Sequence, residues 1–219
     1  MIIEFTLHQL LPNVFADTGI EKGSSDVWQV DLTFQRGQSY LVEASSGRGK
    51  TSLCMFLYGL RTDYSGEITV TTTEGATCRL LDMNLDELRQ RSLAMMFQDN
   101  RLFPELTALE NCLLKNRLTN HLSEQEIRSM LIQLGLEAKL DVPCGLLSLG
   151  QQQRVAFVRM LCQPADFYLL DEPVSHLDDE NIRLMSDMLQ QAQSATGAGV
   201  ILTSIGRELP YHYDQVLKL

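Results

Sequence analysis

The chain has 219 residues, room for one α/β domain or one domain with a subdomain. Lys plus Arg number 18 against 28 Asp plus Glu, a formal charge of −10, which argues against a nucleic-acid partner. No apolar run approaches the ~20 residues that span a bilayer, so any membrane part of the working assembly is expected from another chain.

Ile2 to Leu7 and Val27 to Phe34 alternate as half-buried strands do. Asp17 to Asp26 between them reads as a loop. Gln35 to Gln38 is a turn into the extended run Ser39-Tyr40-Leu41-Val42. A polar loop follows, then an apolar helix from Leu53 to Leu60. Asp63-Tyr64-Ser65 turns into a strand at Gly66–Val70. Leu85 to Arg91 is a short helix and Leu93 to Phe97 a buried strand. Thr107–Leu118 and Ser123–Leu134 have helical periodicity, the second with a Ser123/Glu126 capping box and a Gly135 stop. A helix starts near Ser148 and runs to Leu161, before Pro164. Phe167 to Leu170 is an apolar strand. Asp178 to Ala195 is a helix ending at Gly197, and Val200–Thr203 and Gln215–Leu217 close a mostly parallel sheet. The middle third is helical and could form its own lobe.

Met1-Ile2-Ile3-Glu4-Phe5 has neither the basic start nor the long apolar core of a signal peptide. The five cysteines form no C-x-x-C pair, which fits reduced, mostly core-packed thiols in a cytoplasmic protein.

The chemistry starts at Ala44-Ser45-Ser46-Gly47-Arg48-Gly49-Lys50-Thr51-Ser52. Strand, small-residue loop and helix start are the context of a phosphate-binding loop. Small residues let backbone amides curl round a phosphate, and the helix dipole adds positive potential. Lys50 would bridge β- and γ-phosphates, and the Thr51 hydroxyl would coordinate Mg²⁺. Ala44 stands where the pattern has glycine, which matters only if that position needs positive φ. The competing reading is an ordinary polar turn before a helix.

Asp171 and Glu172 follow the apolar strand, at the end where open α/β sheets place ligands. Asp171 is placed to hold Mg²⁺, directly or through water. Glu172 is the candidate base for an attacking water. The bland alternative is an acidic turn. Leu147-Ser148-Leu149-Gly150-Gln151-Gln152-Gln153-Arg154 contains a helix N-cap at Ser148, and such a terminus can also bind phosphate.

The order of these stretches resembles the ATP-binding cassette family, whose signature Leu-Ser-Gly-Gly-Gln stands here as Leu147-Ser148-Leu149-Gly150-Gln151. Gln98 matches the family's glutamine loop, Leu102–Thr107 with Glu110-Asn111 its next segment, and Ser175-His176-Leu177-Asp178 its D-loop. The resemblance covers nearly the whole chain.

It implies an α/β fold of the P-loop NTPase class. Residues 1–219 would form one nucleotide-binding domain with an N-terminal antiparallel β part and a helical subdomain at about 99–163. It implies ATP and Mg²⁺ as ligands, an integral membrane permease as partner, and peripheral attachment to the inner face of the membrane. Two such domains, identical or different, would close head to tail, with Ser148, Leu149, Gly150 and Gln151 facing the partner's phosphate loop. Thr51, Gln98 and Asp171 would serve the metal, and Gln98 and Glu172 the attacking water. Phe15 would stack on adenine or be a core aromatic; Trp28 is core; Arg48 adds charge to the loop or points to solvent.

Three departures from the family stand out: Ala44, Leu149 for the first signature glycine, and Ser204 where the family has a histidine on the γ-phosphate. Serine cannot carry a positive charge. The implied function is ATP hydrolysis driving a permease. The alternative is a nucleotide-binding regulatory or mechanotransmission module with impaired hydrolysis. A DNA-repair cassette lacks support in this acidic chain without a coiled-coil insertion, and a soluble P-loop kinase is disfavoured by the signature stretch.

Overall fold

A computed structural model describes residues 1–16 and 24–219. The loop expected from Asp17 falls, through residue 23, outside the described residues. The strands are β1 (Ile2–Pro12), β2 (Asp31–Gln35), β3 (Ser39–Glu43), β4 (Tyr64–Thr72), β5 (Thr77–Arg79), β6 (Leu93–Met96), β7 (Phe167–Asp171), β8 (Gly199–Ser204) and β9 (Gln215–Lys218). The helices are α1 (Lys50–Leu57), α2 (Leu85–Arg91), α3 (Ala108–Asn116), α4 (Glu124–Gln133), α5 (Leu149–Leu161) and α6 (Asp179–Thr196).

Two sheets result. One is antiparallel with order β2-β1-β4-β5; the other is parallel with order β6-β7-β8-β3-β9. β7 and β8 are buried at every residue, and β3 at all but Glu43, as central parallel strands under helices on both faces must be. β8 lies between β7 and β3, so the strand ends carrying Asp171 and the phosphate loop flank Thr203 and Ser204.

Two apolar clusters fill the molecule. One holds Phe5, Phe34, Leu53, Phe56, Phe167 and Ile201 between the two sheets and α1. The other joins α3, α4 and α5 to the opposite face of the parallel sheet through Tyr168, Leu170 and Leu202. The middle helices are therefore packed against the sheet through α5.

Several expected boundaries move for local reasons. Val27 to Val30 is not strand: the Ser25 hydroxyl accepts from the amides of Val27 and Trp28, and Gln29 sits at φ 58°. Tyr64 and Ser65 already belong to β4, which a turn after Thr73 returns as β5, a strand absent from the sequence reading. The first middle helix stops at Asn116; Asn116 Nδ2 donates to Leu122 O and its Oδ1 accepts from Leu122 N, closing the loop into α4. α4 has the expected Ser123/Glu126 box, and Thr107/Glu110 makes a matching one on α3. All five thiols are free; Cys78 alone is exposed.

Candidate functional site

The loop between β3 and α1 curls tightly because Gly47 and Gly49 adopt φ 81° and 97°. A Cβ at Gly49 would meet the Trp28 ring at 3.0 Å and Phe15 at 3.2 Å, so the loop is backed by two aromatics. Trp28 is buried, and its Nε1–H donates to Arg48 O at 3.1 Å. That agrees with the core reading of Trp28, while the Arg48 side chain stays exposed. Phe15 is half-buried and lines the cleft beside the loop. Ala44 is not among the residues at positive φ, which explains why a methyl group fits there; its amide donates to Ser204 O at 3.2 Å.

The cleft holds about 230 Å³ and is lined by Val14, Phe15, Ser46, Gly47, Gly49, Lys50, Thr51, Ser52, Gln98 and Glu172. Four side chains connect in series across it. Thr51 Oγ1 donates to Gln98 Oε1 at 3.4 Å, and Gln98 Nε2 donates to Glu172 Oε2 at 3.1 Å. Glu172 Oε1 stands 3.5 Å from Lys50 Nζ, which also donates to Ala44 O at 2.8 Å and Ser45 O at 2.9 Å. The Ser52 hydroxyl is not part of this series and accepts from Arg61.

Asp171 ends β7 wholly buried. Its Oδ1 accepts from Thr203 Oγ1 at 2.8 Å, and its Oδ2 has no partner among the described residues. A buried carboxylate oxygen left open beside a hydroxyl and an amide oxygen is a hard-oxygen donor set that fits Mg²⁺. Burial pushes the Asp171 carboxyl up, opposed by the neighbouring Thr51 hydroxyl and by the hydrogen bond from Thr203. Burial also raises Glu172, with Lys50 pulling down and Asp171 pushing up. Glu172 sits at φ 50°, a strained position for a non-glycine residue. Its amide donates to Thr203 O and Oγ1, at 3.3 and 3.2 Å.

The structure thus brings Lys50, Thr51, Gln98, Asp171 and Glu172 together. It does not bring Ser148–Gln151 or Ser204 into the walls of this cleft. Ser148 caps α5: its hydroxyl accepts from Gln151 N, and Gln151 Oε1 accepts from Ser148 N. Leu149 projects 57% exposed at the helix start. Ser204 is buried, and its hydroxyl donates to Arg207 O at 2.9 Å and accepts from Gly206 N at 3.0 Å. Thr203 was missed as a site residue. The available signal was a hydroxyl following the apolar run Val200-Ile201-Leu202, at the end of the strand beside the carboxylate strand.

The ABC transporter family model matches residues 27–175. The chain belongs to the ABC transporter family. It is an ATP-binding cassette ATPase, the subunit type that drives a separate membrane permease. The lipoprotein-releasing system ATP-binding protein LolD of Syntrophotalea carbinolica is 32% identical over 193 residues, covering 87% of this chain and 84% of that protein. Its counterpart from a Ruegeria species is 31% identical over 194 residues with the same two coverages. In fold, the cassette resembles dimeric MJ0796 bound to ADP and Pi, with a TM-score of 0.74, 22% identity, and 91% and 87% of the two chains covered. Among the described residues no helix is long and apolar enough to cross a membrane.

Proposed function

We propose that this cassette hydrolyses ATP with Mg²⁺ at the Lys50–Gln98–Glu172 cleft, and that Glu172 is the base. The single observation behind this reading is the four-residue series. In it Lys50 is held by carbonyls and Glu172, contacts that an incoming phosphate would outcompete. The β- and γ-phosphates draw Lys50 away, because a charge-assisted contact to phosphate is stronger than one to a carbonyl. Glu172 Oε1 is then free to accept a proton from a water that Gln98 helps orient. Thr51, Gln98 and Asp171 would hold Mg²⁺, which would supply positive charge against the phosphates. Asp171 is kept in place by Thr203. Phe15 offers a face to the adenine at the mouth.

On this reading residues 1–219 are one nucleotide-binding domain with a helical subdomain at about 99–163, and the cassette works as a head-to-tail dimer. Ser148 and Gly150 then serve the partner's nucleotide, which fits their absence from the cleft of their own chain. The permease docks in the groove of about 290 Å³ between Phe97, Phe103, Leu114, Lys115, Leu118 and Arg159. Phe103 and Leu118 are 52% and 51% exposed there, and Phe97 adjoins Gln98. The protein sits peripherally on the inner membrane face through that contact. The curated relatives serve lipoprotein release, and the motor chemistry proposed for this chain is independent of cargo.

One observation favours slower turnover: the Ser204 hydroxyl is spent inside its own turn and offers nothing to a γ-phosphate. Steady-state ATPase with Mg²⁺ tests the proposal. Steady-state turnover reduced to a slow residual rate in Glu172→Gln with ATP binding retained supports Glu172 as base. ATP binding without turnover in the wild type, with the permease present, favours the regulatory reading. Phe103→Asp should abolish co-purification with the permease and leave nucleotide affinity intact.

A further inference from the structure

Gln153 lies one helical turn beyond Gly150 on α5 and is only 2% exposed. Its amide is fully used. Nε2 donates to the Glu172 carbonyl oxygen at 3.3 Å and to Ser175 Oγ at 3.2 Å. Oε1 accepts from His176 N at 3.2 Å. Just above it, a Cβ on Gly150 would stand 2.6 Å from His176 O, so the signature helix lies directly on the 175–176 backbone.

We infer that Gln153 is a positioning residue: its side chain fixes the strained Glu172 backbone to the signature helix, and so sets where the Glu172 carboxylate stands. The inference rests on the proposed role of Glu172 as base. Glu172 occupies φ 50°, a conformation that needs outside support. Its amide is held by Thr203 and its carbonyl by Gln153, so both faces of the peptide frame are fastened. Gln153 is not among the residues lining the cleft and bears on the reaction only through Glu172. Because the same helix begins at Ser148, a shift of the signature helix is transmitted to the Glu172 backbone of its own chain. An apolar residue of similar length fills the space and removes every one of these bonds.

The test is ATPase kinetics of Gln153→Met and Gln153→Glu, on the chain with its permease. Gln153→Glu keeps an acceptor for His176 N and loses both donors. Both variants should lower kcat about tenfold or more, as small displacements of a reacting group do, with KM for ATP within about twofold. A general packing defect would move KM and melting temperature together. The deciding measurement is single-turnover hydrolysis in a Glu172→Gln background, where Gln153→Met should add no further loss. An equal loss in that background, or a kcat unchanged in both single variants, overturns the inference. Wild-type turnover in Glu172→Gln alone would instead sink the base assignment, so the two failures are distinguishable.

Discussion

Lys50 Nζ and Glu172 Oε1 stand 3.5 Å apart in a cleft where the lysine is almost fully buried. The proposed mechanism separates this pair, with Lys50 on phosphate and Glu172 on the attacking water. Lys50→Met should weaken ATP binding by roughly 10- to 100-fold, the worth of a charged hydrogen bond. Nucleotide fluorescence or calorimetry checks this.

The same pair predicts a pH dependence. Burial raises the Glu172 carboxyl, and Lys50 is the main influence holding it down. A base works deprotonated, so kcat/KM should fall on the acid side through a limb lying above the ordinary glutamate range. In Lys50→Met the downward influence is gone, and the Glu172 carboxyl resonance should titrate at still higher pH. A limb at the ordinary glutamate value would remove Glu172 as the titrating base.

Gly150 admits no side chain. The nearest atom to an added Cβ is the backbone oxygen of His176, which cannot rotate away. Gly150→Ala should cost about 1–3 kcal/mol, as overpacking does, and lower the melting temperature by several degrees. Leu149→Gly, at an exposed position beside it, should leave stability within about 1 kcal/mol, since only the glycine itself adds backbone freedom there.

Ser204 has two jobs inside the protein, both local. Ser204→Ala should destabilise the fold by roughly 1–3 kcal/mol, leaving the Gly206 amide and Arg207 carbonyl short of partners. Nucleotide affinity should not change, because the hydroxyl does not line the cleft. Ser204→His must break that turn to reach a phosphate, so it should melt lower. Turnover per folded molecule should rise if the missing charge limits the rate.

Thiol labelling should be selective. Cys54, Cys112, Cys144 and Cys162 are buried, and burial pushes Cys54 and Cys112 well up and Cys144 up to about 11. Cys78 alone is exposed, so one of the five thiols should react quickly in the native state and all five after denaturation.

Much of this was legible in the chain itself. Lys50 and Thr51, Asp171 and Glu172, and the Ser148 cap are local patterns, in which strand, turn and helix start lie within a few residues. Local backbone geometry dictates them. Where the reading of β2 slipped, the cause was also local: a Ser25 turn hidden inside an alternating apolar pattern.

Tertiary structure decided what depends on contacts between distant segments. That Gln98 bridges Thr51 to Glu172 follows from the strand order β6-β7-β8-β3, which no local pattern encodes. Thr203 and Gln153 became visible only when strand and helix brought them to Asp171 and Glu172. The sequence could say that Ser204 lacks a charge. Only the packing shows that its hydroxyl is already taken, because a hydrogen bond is satisfied by whatever the fold places within reach, not by what the motif would require.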